Sequence, residues 1–197
     1  MFVVAFNASP RPEGNTARLI RYALDEIEKE GITTELVQIG GKSLHGCTAC
    51  MKCFETKNGQ CSLTRDIIND CIEKMIRADG IIIGSPTYFS DITPEAKALI
   101  DRAGFVAMAN GGLFSRKVGA GISAVRRAGA VCSLDSINHL FGISDMFTAG
   151  SIYWNVGFGL GPGEVDQDEE GKATMRRLGQ NIAWFIRNVN QEKSPGR

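Results

Sequence analysis

Short apolar runs separated by amphipathic stretches limit what this chain can fold into. Residues 2–6 (Phe-Val-Val-Ala-Phe) are apolar without a break, as are residues 81–83 between Gly80 and Gly84. An unbroken run of this length fits a strand buried on both faces, whereas a strand with one wet face alternates. Between these runs the period changes. Over residues 16–30, Leu19, Ala23, Leu24 and Ile27 recur at helical spacing, with Arg18, Asp25, Glu28 and Lys29 opposite and Gly31 placed as the stop. Ile67, Ile68, Cys71, Ile72, Met75 and Ile76 form a second stripe. Further helices are predicted over 93–103, opened by Thr93 as N-cap and Pro94 at the first position, and over 133–143 and 172–189.

Strands are predicted over 2–6, 34–39, 80–84, 118–125 and 147–154. Five strands alternating with five helices predict an α/β fold: a doubly wound, five-stranded parallel sheet with helices on both faces. One domain is expected over 1–189, with a disordered tail over 190–197. Residues 40–63 carry no clear period and read as a long functional loop. Ligands in such folds bind beyond the carboxyl ends of the strands, where strand order switches.

Composition narrows the partners. The 22 basic and 22 acidic residues cancel, which argues against a nucleic-acid or anionic-membrane binder. The first residues lack a basic segment and cleavage site, and no apolar run approaches the roughly 18 residues of a membrane span. A cytoplasmic protein is expected, and there thiols stay reduced unless they carry chemistry or metal.

The loop after the first strand reads Asn7-Ala8-Ser9-Pro10-Arg11-Pro12-Glu13-Gly14-Asn15-Thr16. It matches neither the dinucleotide-binding nor the P-loop glycine pattern, and without an acidic cluster it is no phosphoacceptor site. Its hydroxyls, amide, cation and helix N-terminus are the parts of a phosphate cradle. The alternative is an N-capped turn in which Ser9 and Asn15 only satisfy backbone donors.

Ser9, Arg11, Gly14, Asn15 and Thr16 fit, position by position, the S-x-R-x-x-[GS]-[NS]-[ST] loop of the flavodoxin-like NADPH-dependent FMN reductases, which the chain resembles. Gly84-Ser85-Pro86-Thr87-Tyr88 is similar to their G-[ST]-P-x-Y segment, and residues 97–102 (Lys-Ala-Leu-Ile-Asp-Arg) to their K-x-x-[IL]-D-R helix. The resemblance implies strand order 2-1-3-4-5, FMN phosphate on the first loop, and the isoalloxazine against Pro86, Thr87, Tyr88 and Phe89. Ala124, Arg126 and Gly129 would close the pyrimidine side, with Arg126 facing negative charge on the reduced ring or a nicotinamide phosphate; the alternative is that Arg126 and Arg127 are two solvated residues ahead of a turn. No side chain need act as general base, because the chemistry is centred on the flavin. Homodimers or homotetramers are expected from the same resemblance.

Cys47, Cys50, Cys53 and Cys61 fall within 15 residues. Three thiols at steps of three plus a distant fourth can close around a compact inorganic cluster, as related spacings do in ferredoxins. Structural zinc usually uses two separated pairs, and free reduced thiols are the third reading. The pattern resembles that of the iron–sulfur flavoproteins, a subgroup with a [4Fe–4S] cluster beside FMN. Two functions follow. One is an FMN-dependent oxidoreductase that takes hydride from NAD(P)H and passes electrons to a small acceptor or redox partner. The other is a non-catalytic flavin/[4Fe–4S] electron carrier reduced by a ferredoxin-like protein.

Weaker features complete the reading. His45 is expected as a solvated loop residue beside the cysteines and His139 as structural. Cys71 and Cys132 are expected as core residues on apolar helical faces. The glycine- and aromatic-rich residues 153–163 either wrap the substrate side of the flavin or form a flexible loop. Glu164, Asp166, Asp168, Glu169 and Glu170 are expected as a solvated helix start.

Overall fold

The computed structural model describes residues 1–191. Its parallel sheet is built on β1 (Phe2–Asn7), β2 (Thr33–Gln38), β3 (Gly80–Pro86), β4 (Val118–Val125) and β5 (Phe147–Thr148), in the order β2-β1-β3-β4-β5. β6 (Val156–Phe158) also pairs with β4. The helices are α1 (Asn15–Lys29), α2 (Lys52–Thr56), α3 (Ile68–Arg77), α4 (Pro94–Ala109), α5 (Ala130–Ile143) and α6 (Glu169–Gln191).

The unbroken apolar runs are the central strands, and their alternate side chains feed two separate cores. Val4, Phe6, Ile81 and Ile83 pack with residues of α3, α4 and α5 on one face. Val3, Ala5, Ile82, Ala120 and Ile122 pack with residues of α1 and α6 on the other. Each strand therefore needs apolar residues at every position, which is why no alternation appears in its sequence. At the start of α4, Thr93 caps the helix by accepting from the Ala96 N–H, with Pro94 in the first turn.

Four expectations need correction. The fifth strand is not continuous over 147–154: β5 is two residues long, the chain leaves the sheet, and β6 rejoins β4 at Ser123–Val156. The Ser151 hydroxyl, hydrogen-bonded to Asn155 Oδ1 and the Tyr153 carbonyl, folds the excursion that a strand reading missed. Cys132 is exposed rather than in the core, because α5 begins at Ala130 and turns that position to solvent. The acidic run is no plain solvated start. Asp166 pairs with Arg18 at 2.5 Å and accepts from the Tyr22 hydroxyl, while Asp168 accepts from the Phe158 and Gly171 N–H groups. Finally, the last helix, expected over 172–189, is α6 over Glu169–Gln191, and residues 192–197 of the expected tail lie outside the described residues.

Cys71 is buried in the core as expected, and burial pushes its thiol up to about 12, with Asp70 adding to the effect. A thiol whose folded pKa exceeds its unfolded value contributes stability that is complete below the unfolded pKa and declines as pH rises towards the folded one. The free energy of unfolding is therefore expected to fall above pH ~9, by about 1.4 kcal/mol per pH unit from this group, and the urea midpoint with it. A Cys71→Ala variant, compared by urea titration at pH 8 and pH 10, should show a shallower decline.

Candidate functional site

The carboxyl ends of β1, β3 and β4 lie side by side, in registers that pair Asn7 with Gly84 and Pro86 with Ala124. Their loops are stitched to one another. The Ala8 N–H donates to the Gly84 carbonyl, the Thr93 hydroxyl donates to the Ala8 carbonyl, and the Thr87 N–H donates to the Ala124 carbonyl. The switch point expected between β1 and β3 is thus one continuous rim, and it brings the three predicted loops together.

In the first loop, Ser9 Oγ accepts from the Arg11 N–H at 3.2 Å, and the Gly14 N–H donates to the Arg11 carbonyl. The chain curls so tightly that a Cβ on Gly14 would stand 2.9 Å from Arg11 Cβ. α1 then opens with no side-chain cap, so its first N–H groups keep their capacity for an anion. Arg11 is exposed beside them, and Thr16 is buried in the first turn. Asn15 is used differently. Its amide donates to the Gly161 carbonyl and its oxygen accepts from the Gly163 N–H, clasping the glycine loop to α1.

The second loop turns at residues 88–91, where Tyr88 and Asp91 exchange backbone hydrogen bonds. Phe89 and Ser90 at its tip have φ of 50° and 64°. Side chains in this left-handed region cost roughly 1–2 kcal/mol each, and such outliers gather at ligand sites. The turn holds Phe89 fully out in solvent and Tyr88 about half exposed. The Thr87 hydroxyl is taken up by Ser123 Oγ at 2.9 Å and Ser133 Oγ at 3.2 Å. Gly129 adopts φ 89° beside this turn, where a Cβ would meet Ser90 Oγ at 2.8 Å. Arg126 is exposed at the end of β4, and Ala124 lies inside the sheet. Beyond them a cavity of about 280 Å³ runs between Gly129 and the aromatic stretch, lined by Arg127, Tyr153, Trp154 and Phe158. A larger cavity, about 610 Å³, lies between α4 and α5 and includes none of the rim residues.

The four clustered cysteines line one small cavity with Ser62, Arg102 and Phe105. None is in a disulfide. Zinc requires its ligands to meet at one ion, about 2.3 Å from each sulfur. Among the described residues no three Cys, His, Asp or Glu side chains are gathered in that way. An iron–sulfur cluster instead takes each thiolate on a separate iron; the four cysteines supply that donor set, but their cavity is only about 20 Å³ and would have to open to receive a cluster. The neighbouring Ser62 hydroxyl pulls the Cys50 thiol below its ordinary range, while partial burial pushes Cys53 up. His45 is involved only through its backbone, which binds Asp66 and Arg102.

Several residues that build the site were not foreseen. Arg102 is fully buried and pairs with Asp66 at 2.6 Å. Burial alone would push the Asp66 carboxyl up, but the hydrogen bonds from Arg102 and from the His45 and Ile68 N–H groups outweigh it and hold the group low. Gln38 bridges Asn7 to the Ser9 and Gly40 carbonyls. The signal for Arg102 was a lone cation on the apolar stripe of Leu99, Ala103 and Val106. For Gly40 it was a Gly-Gly pair directly after a strand.

The fold and rim define a flavodoxin-like protein, and comparison with known sequences agrees. The family model for NADPH-dependent FMN reductase matches residues 1–161. The chain belongs to this family, in its iron–sulfur flavoprotein subgroup. An iron-sulfur flavoprotein of Methanocaldococcus jannaschii is 35% identical over 97% of this chain and 100% of its own length. One from Methanosarcina thermophila is 31% identical over 98% and 99%. Among solved structures, RosB with a bound riboflavin-phosphate intermediate superposes with a TM-score of 0.77 at 18% identity, covering 98% of this chain and 82% of that one. A WrbA-like flavodoxin from Agrobacterium tumefaciens gives 0.67 at 17%, covering 95% and 98%. These likenesses bear out the sheet order and the helices on both faces. They make the protein a flavin oxidoreductase or electron carrier. No described helix is long and apolar enough to cross a membrane.

Proposed function

We propose that the chain binds FMN on the β1–β3–β4 rim, accepts hydride from NAD(P)H there, and passes electrons to a small acceptor or redox partner. The observation that carries this reading is the uncapped N-terminus of α1 beside Ser9 and Arg11, on the same rim as the strained turn that presents Phe89. Ser9, Arg11, Gly14, Thr16 and the backbone N–H of Asn15 hold the phosphate, since Asn15's carboxamide is committed to the glycine loop. Pro86, Thr87, Tyr88 and Phe89 lie along the ring. Thr87 does so through its position, because its hydroxyl and N–H are already bonded to β4 and α5. Ala124, Arg126 and Gly129 close the other edge, with Arg126 supplying positive charge.

Cys47, Cys50, Cys53 and Cys61 hold a [4Fe–4S] cluster in this reading, supported by their shared cavity and by the names of the relatives. When bound, FMN supplies two-electron hydride chemistry and the cluster single-electron transfer. A cytoplasmic homodimer or homotetramer belongs to the same reading, supported by the exposed Ile152, Tyr153, Trp154, Phe158 and Leu160.

The cysteine cavity also favours a second reading, an electron carrier reduced by a ferredoxin-like protein. Anaerobic stopped-flow mixing separates the two. Loss of the flavin absorption band within seconds of adding NADPH or NADH supports the reductase. Loss only with reduced ferredoxin rejects it in favour of the carrier.

A further inference from the structure

The four cysteines differ in how firmly the fold holds them. Cys47, Cys50 and Cys53 lie around α2, a five-residue helix entered and left through left-handed Met51 and Lys57. Cys61 is pinned instead. Its N–H donates to Asn69 Oδ1 at 2.8 Å, and Asn69 Nδ2 returns a bond to its carbonyl at 2.9 Å. Its sulfur accepts from Arg102 Nε at 3.3 Å. The remaining guanidinium nitrogens bind Asp66 Oδ2 at 2.6 Å, the His45 carbonyl at 3.2 Å and the Leu63 carbonyl at 2.6 Å. A guanidinium held by four partners cannot swing away from the sulfur.

A buried ion pair is weak support for stability, because desolvating both charges offsets their attraction. Its presence at the wall of the cysteine cavity calls for another role. We infer that Arg102 is the positioning residue of the cysteine site, and that its hydrogen bond and charge on Cys61 raise the reduction potential of the group the thiolates hold. The inference rests on the proposed cluster. Reduction adds negative charge to the thiolate-bound group, and a buried cation with an N–H aimed at one sulfur favours that state. Asp66 offsets part of the charge, but it binds through a different nitrogen and leaves the Nε–H···S bond intact.

Arg102 reaches this cavity from a helix that starts at the flavin rim. Thr93, the α4 cap, is bonded to Ala8 in the first loop, and Arg102 lies roughly 13 Å further along the axis at 1.5 Å per residue. One rigid element therefore fixes both sites.

The test compares anaerobically purified wild type with Arg102→Lys and with the double variant Asp66→Asn/Arg102→Gln. Lysine keeps the buried charge but cannot reproduce the guanidinium fork, and the double variant removes both charges, leaving no unpaired ion. Iron content, circular dichroism and potentiometry followed by electron paramagnetic resonance are read for each. In folded double variant, the ratio of reduced to oxidised cluster at fixed potential should fall at least tenfold, about 59 mV for a one-electron couple. Arg102→Lys should shift it in the same direction by less. Both variants folded, with wild-type iron and wild-type potential, would overturn the inference. Wild type without iron would overturn the cluster reading itself, a separate result visible before any variant is made.

Discussion

Asp66→Ala is expected to destabilise the metal-free protein by about 3–5 kcal/mol, the usual cost of stranding one member of a buried ion pair. Asp66 and Arg102 have side-chain exposures of 2% and 0%, so solvent cannot take over the lost contact. The carboxylate also accepts from the His45 and Ile68 N–H groups, and these donors lose their partner as well. The double variant Asp66→Ala/Arg102→Met should recover most of the loss, because neither charge then remains buried. The folded carboxyl is held below its ordinary range, so its contribution is complete at neutral pH and is lost as pH falls below about 4. Urea midpoints at pH 7 measure the effect. A loss under 1 kcal/mol for the single variant would show that water enters the pair.

Gly40→Ala is expected to cost about 3 kcal/mol and to weaken FMN binding at least tenfold. A Cβ at this position would lie 2.5 Å from the Ala8 carbonyl carbon and closer still to the Ser9 carbonyl group. Those atoms are backbone, so no rotamer change relieves the clash, and overpacking of this kind costs roughly 1–3 kcal/mol or more. The Gly40 N–H also holds the Asn7 carbonyl at 3.0 Å. Displacing it moves the segment that carries Ser9 and Arg11. Urea titration and quenching of FMN fluorescence read the two effects separately. Gly41→Ala is the control for general loop damage: at φ 76° it is strained, but its nearest backbone neighbour is 3.5 Å away.

The parts of this fold that were legible in the sequence are those where one residue type answers one physical demand. Central strands buried on both faces must be apolar throughout, so β1 and β3 stood out, and the Thr93-Pro94 start of α4 declared itself through capping chemistry. The split of the sheet edge into β5 and β6 did not. It depends on Ser151 bonding Asn155 and on Asn155 bonding back to Ser123 in β4, and such partners are set by the packed fold. The rim loops were legible as a family motif, though the motif did not disclose that Asn15 serves the glycine loop. The cysteine spacing announced a thiol site, whereas its buried Asp66–Arg102 support joins residues far apart in the chain. The hints were the position of Arg102 on an apolar stripe and its place at the end of the Lys97–Arg102 family motif, and neither named its partner.

The central claim is that one rim binds FMN while the neighbouring thiols hold an iron–sulfur cluster. Flavin and iron content per chain after anaerobic purification test it most directly. About one FMN per chain, released by acid precipitation, and about four irons that disappear in Cys61→Ser while the FMN stays are expected. A folded wild-type protein that neither carries nor takes up FMN would overturn the assignment of the β1–β3–β4 rim as a flavin site.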